Sequence, residues 1–186
     1  MKAISMLFLM KLSILCSCQE HRIDNMDNRF TTIKQVQRNI LCRSLEEVKS
    51  DRILNQEYKL TDSVMSSEGV EWKGVLFSHA NEKILLAETN WVDTNIISRV
   101  TIFYDGIYYD SLISVNSSFD ILKKYIDTNN LNDSPDGYLI LKDLNDKTIS
   151  YIMNIDEYPE LYYGVKNVGS IPDELRIQRI VLHCYE

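Results

Sequence analysis

The chain has 186 residues, with 20 Lys and Arg against 27 Asp and Glu and a formal net charge of −7. That length suits one domain. The acidic balance argues against a nucleic-acid binder, because phosphate contacts need clustered Lys and Arg.

In chain order, Met1 and Lys2 make a short positive start, and an apolar run follows to Leu15, interrupted by Lys11. The run has signal-peptide length and is too short for a transmembrane helix, which needs roughly 20 apolar residues. It ends in Leu15-Cys16-Ser17-Cys18. This quartet resembles the lipobox of bacterial lipoprotein signal peptides: an aliphatic residue, a free position, a small residue, then the acceptor cysteine. Cys18 fits as acceptor. Cys16 does not, because bulky Leu15 would fill the small-residue position. The resemblance implies cleavage before Cys18 and acylation of Cys18, a stable anchor where a single acyl chain would be marginal. It also implies a bacterial envelope protein held at a membrane. Gln19, where an Asp would favour inner-membrane retention, resembles the outer-membrane default. Residues 1–17 are thus expected to be the signal peptide, 18–29 a polar lipidated tether and 30–186 one domain.

Without residues 1–17 the chain keeps 18 basic and 27 acidic side chains, a net charge of −9. Cys42 and Cys184 become its only thiols. Export brings an oxidising compartment, so a bridge between them is one reading. Two buried free thiols packing as small hydrophobes are the other.

In the domain, residues 31–41 read as strand or helix. Ser44, followed by Glu46 and Glu47, caps a short N-terminal helix. Residues 50–68 read as irregular. Residues 70–78 and 84–92 form a hairpin-like pair, with Trp72 and Trp91 in the core. Residues 96–104 alternate as a half-buried strand, and Asp105-Gly106 has hairpin-turn chemistry. The principal helix is expected over about 117–127, capped by Ser117 with Asp120 completing a capping box. Residues 138–142 and 148–155 form a second hairpin. A Tyr-rich loop over 157–170 leads to a last strand carrying Ile180, Leu182 and Cys184 on one face. This order predicts an α+β fold, mainly antiparallel sheet. The stretch 115–125 is loosely similar to small Gram-negative lipoprotein domains, which usually place a Gly before the helix cap where this chain has Asn116.

Chemistry-bearing residues are sparse. No G-x-S-x-G, H-E-x-x-H, P-loop or G-x-G-x-x-G is present, and no Cys/His spacing suggests zinc. His183 and Cys184 are neighbours that would point to opposite faces of a strand. Asp143, Asp146, Asp156, Glu157 and Glu160 could offer oxygens to Ca²⁺, but they lack an EF-hand pattern, and Asp and Asn are ordinary turn formers. No metal, cofactor or catalytic residue is expected. Asp62-Ser63-Val64 and Asp110-Ser111-Leu112 resemble the short O-glycosylation motif of Bacteroidetes. Tyr104, Tyr108, Tyr109, Tyr158, Tyr162 and Tyr163 are the candidate partner-binding residues, since loop tyrosines bring contact area at low entropy cost. They could equally cover the sheet with their hydroxyls wet. The expected function is a non-enzymatic, membrane-anchored lipoprotein that binds an envelope or secreted protein, an immunity or inhibitor protein being the sharper form. A structural or assembly accessory of the outer membrane is the alternative. A small carboxylate-dependent hydrolase comes third.

Overall fold

The computed structural model describes residues 30–134, 137–163, 165 and 167–184. The signal peptide, the tether and Cys18 lie outside the described residues. Three short helices come first: α1 (Ile33–Asn39), α2 (Leu45–Ser50) and α3 (Arg52–Glu57). Each starts on a residue whose side chain satisfies free backbone N–H groups. Thr32 and Gln35 form a reciprocal capping box on α1, Ser44 caps α2, and Asp51 caps α3.

Four strands follow as a meander: β1 (Lys59–Ser67), β2 (Val70–His79), β3 (Glu82–Thr89) and β4 (Ile97–Ile102). The tight connections fit their turns. Glu68-Gly69 and Ala80-Asn81 all have positive φ, as hairpin loops of the primed types require. The stretch 50–68, expected to be irregular, is instead α3 and β1. Its polar residues suit an edge strand, where little side-chain burial is available to signal it.

The chain then leaves the sheet over 103–125 and returns as β5 (Ile126–Ser134), β6 (Tyr138–Asp143), β7 (Ile149–Asn154) and β8 (Ile177–His183). All neighbours are antiparallel, in the order β1-β2-β3-β4-β8-β7-β6-β5. The molecule is mostly antiparallel sheet with few helices. The last strand joins two meanders by pairing with β4.

The expected principal helix is one turn, α4 (Phe119–Leu122). Ser118 is its N-cap and makes no side-chain cap bond. The Ser117 hydroxyl accepts from the Ser114 N–H instead, and Asp120 pairs with Lys123 rather than completing a capping box. Residues from Ile126 onward pair with β6, so long-range ladder bonds override a local helical pattern. Asn116 holds φ +69, the left-handed region that Asn tolerates better than most residues.

One sheet face is buried. Phe77, Leu85, Val100, Ile180, Tyr151 and Leu141 point to that side, under Phe30, Ile33, Val36, Leu54, Ile113 and Phe119 from the helices and the 103–125 excursion. Asp143 is buried on this side and accepts from the Tyr151 hydroxyl at 2.8 Å, the Tyr109 hydroxyl at 3.5 Å and the N–H groups of Asn145 and Asp146. Burial foremost, and then the Asp143 charge, push the Tyr109 hydroxyl up to about 12.

A disulfide joins Cys42, just after α1, to Cys184, just after β8, with Cα atoms 5.5 Å apart and a sequence separation of 142. Around it, Cys42 N–H donates to Ile97 O and Cys184 N–H to Ser98 O. Closing so long a loop is worth about 5 kcal/mol in the chain-entropy model. Paired Cys42→Ser and Cys184→Ser substitutions are therefore expected to lower the unfolding free energy by about 2–5 kcal/mol in urea titration. Reductant should reproduce the loss in the parent chain and leave the double variant unchanged.

Candidate functional site

Among the described residues no helix lies over the second sheet face, and this face is concave. Met65 on β1 and Lys142 on β6 line the same cavity of about 680 Å³, although five strands lie between theirs. The coil of a twisted sheet brings these distant strands round one hollow.

Register orders the lining into rows across the strands. One row holds Ile140, Ile152 and Arg179. The next holds Lys142, Ser150, Val181, Thr101 and Leu86. The third holds His183, Arg99 and Glu88. Rows lie two residues apart along each strand, about 7 Å. Alternation thus puts a mixed apolar and cationic stripe opposite the core stripe.

In the third row Glu88 is only 2% exposed. Arg99 grips it with two hydrogen bonds, Nε to Oε2 at 2.9 Å and Nη2 to Oε1 at 2.7 Å, and the Trp72 indole N–H donates to Oε1 at 3.2 Å. The fork of a guanidinium matches a carboxylate in this way. His183 lies beside this pair, with Nε2 3.4 Å from Ser150 Oγ. Burial foremost, and then the charges of Arg99 and Lys142, hold the His183 imidazole below its ordinary value of 6.5. A Ser and a His so close invite comparison with a hydrolase dyad. Such a dyad needs a third group to orient the base, and among the described residues no carboxylate bonds to the His183 ring.

Arg179 is different. Its guanidinium carbon sits 4.7 Å from the centre of the Tyr138 ring, a cation–π stack. Its Nε–H is shut off from water and has no hydrogen-bond partner among the described residues. Buried donors are seldom left so.

The tyrosines named from sequence do not gather into one surface. Tyr109 is buried, with its ring edge-on to Tyr125. Tyr104 is half-buried and lies over Gly106, where a Cβ would fall 2.3 Å from the ring, so Asp105-Gly106 makes a packed turn rather than a hairpin. Tyr108 and Tyr158 border shallow recesses that meet at Asn116 and Arg176. The Tyr162 hydroxyl donates to Asp156 at 2.7 Å, and Tyr163 belongs to the same 3-10 turn, Pro159–Tyr163. Neither tryptophan is a core residue. Trp72 is half-buried beside the hollow, and Trp91 is 68% exposed in the loop after β3. Of the acids weighed as Ca²⁺ ligands, Asp143 and Asp146 serve turns: Asp143 as above, and Asp146 with Thr148 and Gln37. No cluster of metal-ligating side chains forms among the described residues. Sequence reading missed the hollow. Its one signal was Glu88, Arg99 and Arg179, charged residues on otherwise apolar strands.

No family model and no curated protein sequence matches the chain. Among solved structures it is similar to the uncharacterized protein yfeY from Escherichia coli, with a TM-score of 0.50 and 15% identity over 71% of this chain and 86% of that one. At that identity the likeness concerns the fold alone.

Two outcomes follow from the third row. Arg99→Met leaves the Glu88 carboxylate buried without its cation and is expected to cost about 3 kcal/mol in chemical denaturation. Glu88→Gln, which keeps a neutral acceptor, should cost less. For His183, faced by Arg99 from β4, Glu88 from β3, Lys142 from β6 and Ser150 from β7, the folded state favours the neutral ring. Unfolding then takes up a proton below the ordinary value of 6.5, so stability is full above that pH and falls as pH drops beneath it. Denaturation midpoints at pH 7.5 and 5.5 should differ more in the parent than in His183→Gln.

Proposed function

We propose that the chain is a membrane-anchored envelope lipoprotein whose domain binds a ligand in the hollow of its sheet and performs no chemistry there. Acylation of Cys18 supplies the anchor in this reading, residues 18–29 are the tether, and the outer membrane is the site. The observation that carries the binding reading is the uncovered concave face, which holds half-buried cations among apolar side chains, the lining that ligand sites favour. The lipobox resemblance supports the anchor. The Cys42–Cys184 bridge supports export, since such bonds persist in oxidising compartments. The finer picture of one principal helix gives way to three short capped helices packed on one face, with the opposite face left to the ligand.

Mass spectrometry of the mature protein is expected to find residues 1–17 gone and acyl mass on Cys18. An intact Met1 without lipid mass overturns the anchor. Native mass spectrometry of the protein purified from its host should show a co-purifying ligand that Leu86→Trp, which fills the hollow, displaces. An unliganded parent chain that also takes up nothing from an envelope extract overturns the binding reading.

A further inference from the structure

We infer that the hollow takes an amphiphilic anion: an acyl-like apolar body bearing one carboxylate or phosphate, with the anionic group seated on Arg179 beside Lys142. This rests on the binding reading above and names its ligand class.

The first ground is a charge imbalance in an unlikely place. The chain as a whole carries more acids than bases, yet the hollow is lined by Arg99, Arg179 and Lys142 against Glu88 alone. Arg99 is already committed to Glu88. Arg179 and Lys142 make no ion pair with any described residue. Holding two cations against Ile140, Ile152 and Val181 costs desolvation that no internal acid offsets. A bound anion would offset it. Lys142 stands one row and two strands from Arg179, about 7 Å along the strands and about 10 Å across them, a gap that two long side chains can span to meet one small anionic group.

The second ground is the unpartnered Arg179 Nε–H. The guanidinium carbon rests 4.7 Å from the centre of the Tyr138 ring, which limits how far the side chain moves, and a small turn toward the hollow is needed to open the buried donor to a ligand. A carboxylate or phosphate oxygen there would form a charge-assisted hydrogen bond, the stronger kind. No neutral apolar ligand satisfies that donor.

The third ground is the rest of the lining. Phe103, Leu86, Val181 and Met65 offer an apolar bed next to the cations. A volume of about 680 Å³ falls within the roughly 300–1,000 Å³ of small-molecule sites. A nucleic acid needs many phosphate contacts and would meet an acidic surface. A protein partner needs about 800 Å² on each side, whereas the hollow is a cavity of about 680 Å³, a size that suits a small molecule.

The test uses the purified full chain and a fluorescent fatty acid as probe, displaced in turn by palmitate, by palmitoyl lysophosphatidate and by neutral hexadecanol. Either anion should displace the probe at least tenfold more effectively than hexadecanol. A preference for lysophosphatidate marks a lipid headgroup as the source and a preference for palmitate a free carboxylate, and both support the assignment. Arg179→Met, which keeps the apolar stem, should lose roughly ten- to hundredfold in anion affinity with hexadecanol unchanged. Arg179→Lys should recover only part of the loss, because it restores charge without the Nε donor. Thermal melting of each variant separates lost binding from lost folding. Lys142→Met should lose less than Arg179→Met, and its loss should shrink in high salt. Hexadecanol equal to palmitate, or no probe binding at all, overturns the assignment. A tight ligand of another class in the hollow overturns it too, while leaving the binding reading intact.

Discussion

The pairing of β8 with β4 is the contact on which the rest of the structure depends. Val100 faces Leu182 and Ile102 faces Ile180, which sets two four-strand meanders side by side as one sheet. Without it, each meander would present an open edge at its inner strand. The Cys42–Cys184 bridge sits at the end of this seam, and the backbone bonds from Cys42 to Ile97 and from Cys184 to Ser98 tie the first helix into it. β8, the last of the described strands in chain order, thus lies in the middle of the sheet. Its two faces then separate two roles. Ile180 and Leu182 feed the core, while Arg179, Val181 and His183 line the hollow.

The polar groups inside the molecule divide in the same way. On the covered face, Asp143 is buried and gathers two tyrosine hydroxyls and two backbone N–H groups, so its acceptor capacity is spent on holding the β6–β7 turn. On the open face, Glu88 is equally buried and equally satisfied, by Arg99 and Trp72. Arg179 breaks the pattern: it stacks on Tyr138, and its buried Nε–H has no partner among the described residues. A sheet residue that neither packs the core nor closes a local network fits a role outside the fold itself, and that contrast is the ground for the ligand assignment.

Much of the fold was legible because its signals are local. Ser44 with two following acids marks α2, and Ser44 does cap it. The two expected hairpins appear as β2–β3 and β6–β7, where alternation and turn residues agree. The helix expected over 117–127 failed because its pattern of Ile121, Leu122, Tyr125 and Ile126 serves a turn of helix and then a strand equally well. A strand partner 17 residues away, Asp143 opposite Ile126, decided between them. β1 was missed because an edge strand buries little and its residues are polar. For the tyrosines, a turn position does not say whether a ring faces solvent or core: Tyr109 faces the core, while Tyr108 and Tyr162 are exposed.

By itself the sequence determined the strand-rich character of the chain, its acidic balance, its capped N-terminal helix and the leader pattern around Cys18, all of which rest on neighbours within a few residues. Only the tertiary structure decided that Cys42 meets Cys184, that β8 lies beside β4, and that Arg179, Lys142 and Glu88 share one hollow. Arg179 and Lys142 are 37 residues apart and Glu88 and Arg179 are 91 apart. Strand order and sheet curvature bring them together, and neither is written in any single stretch of the chain.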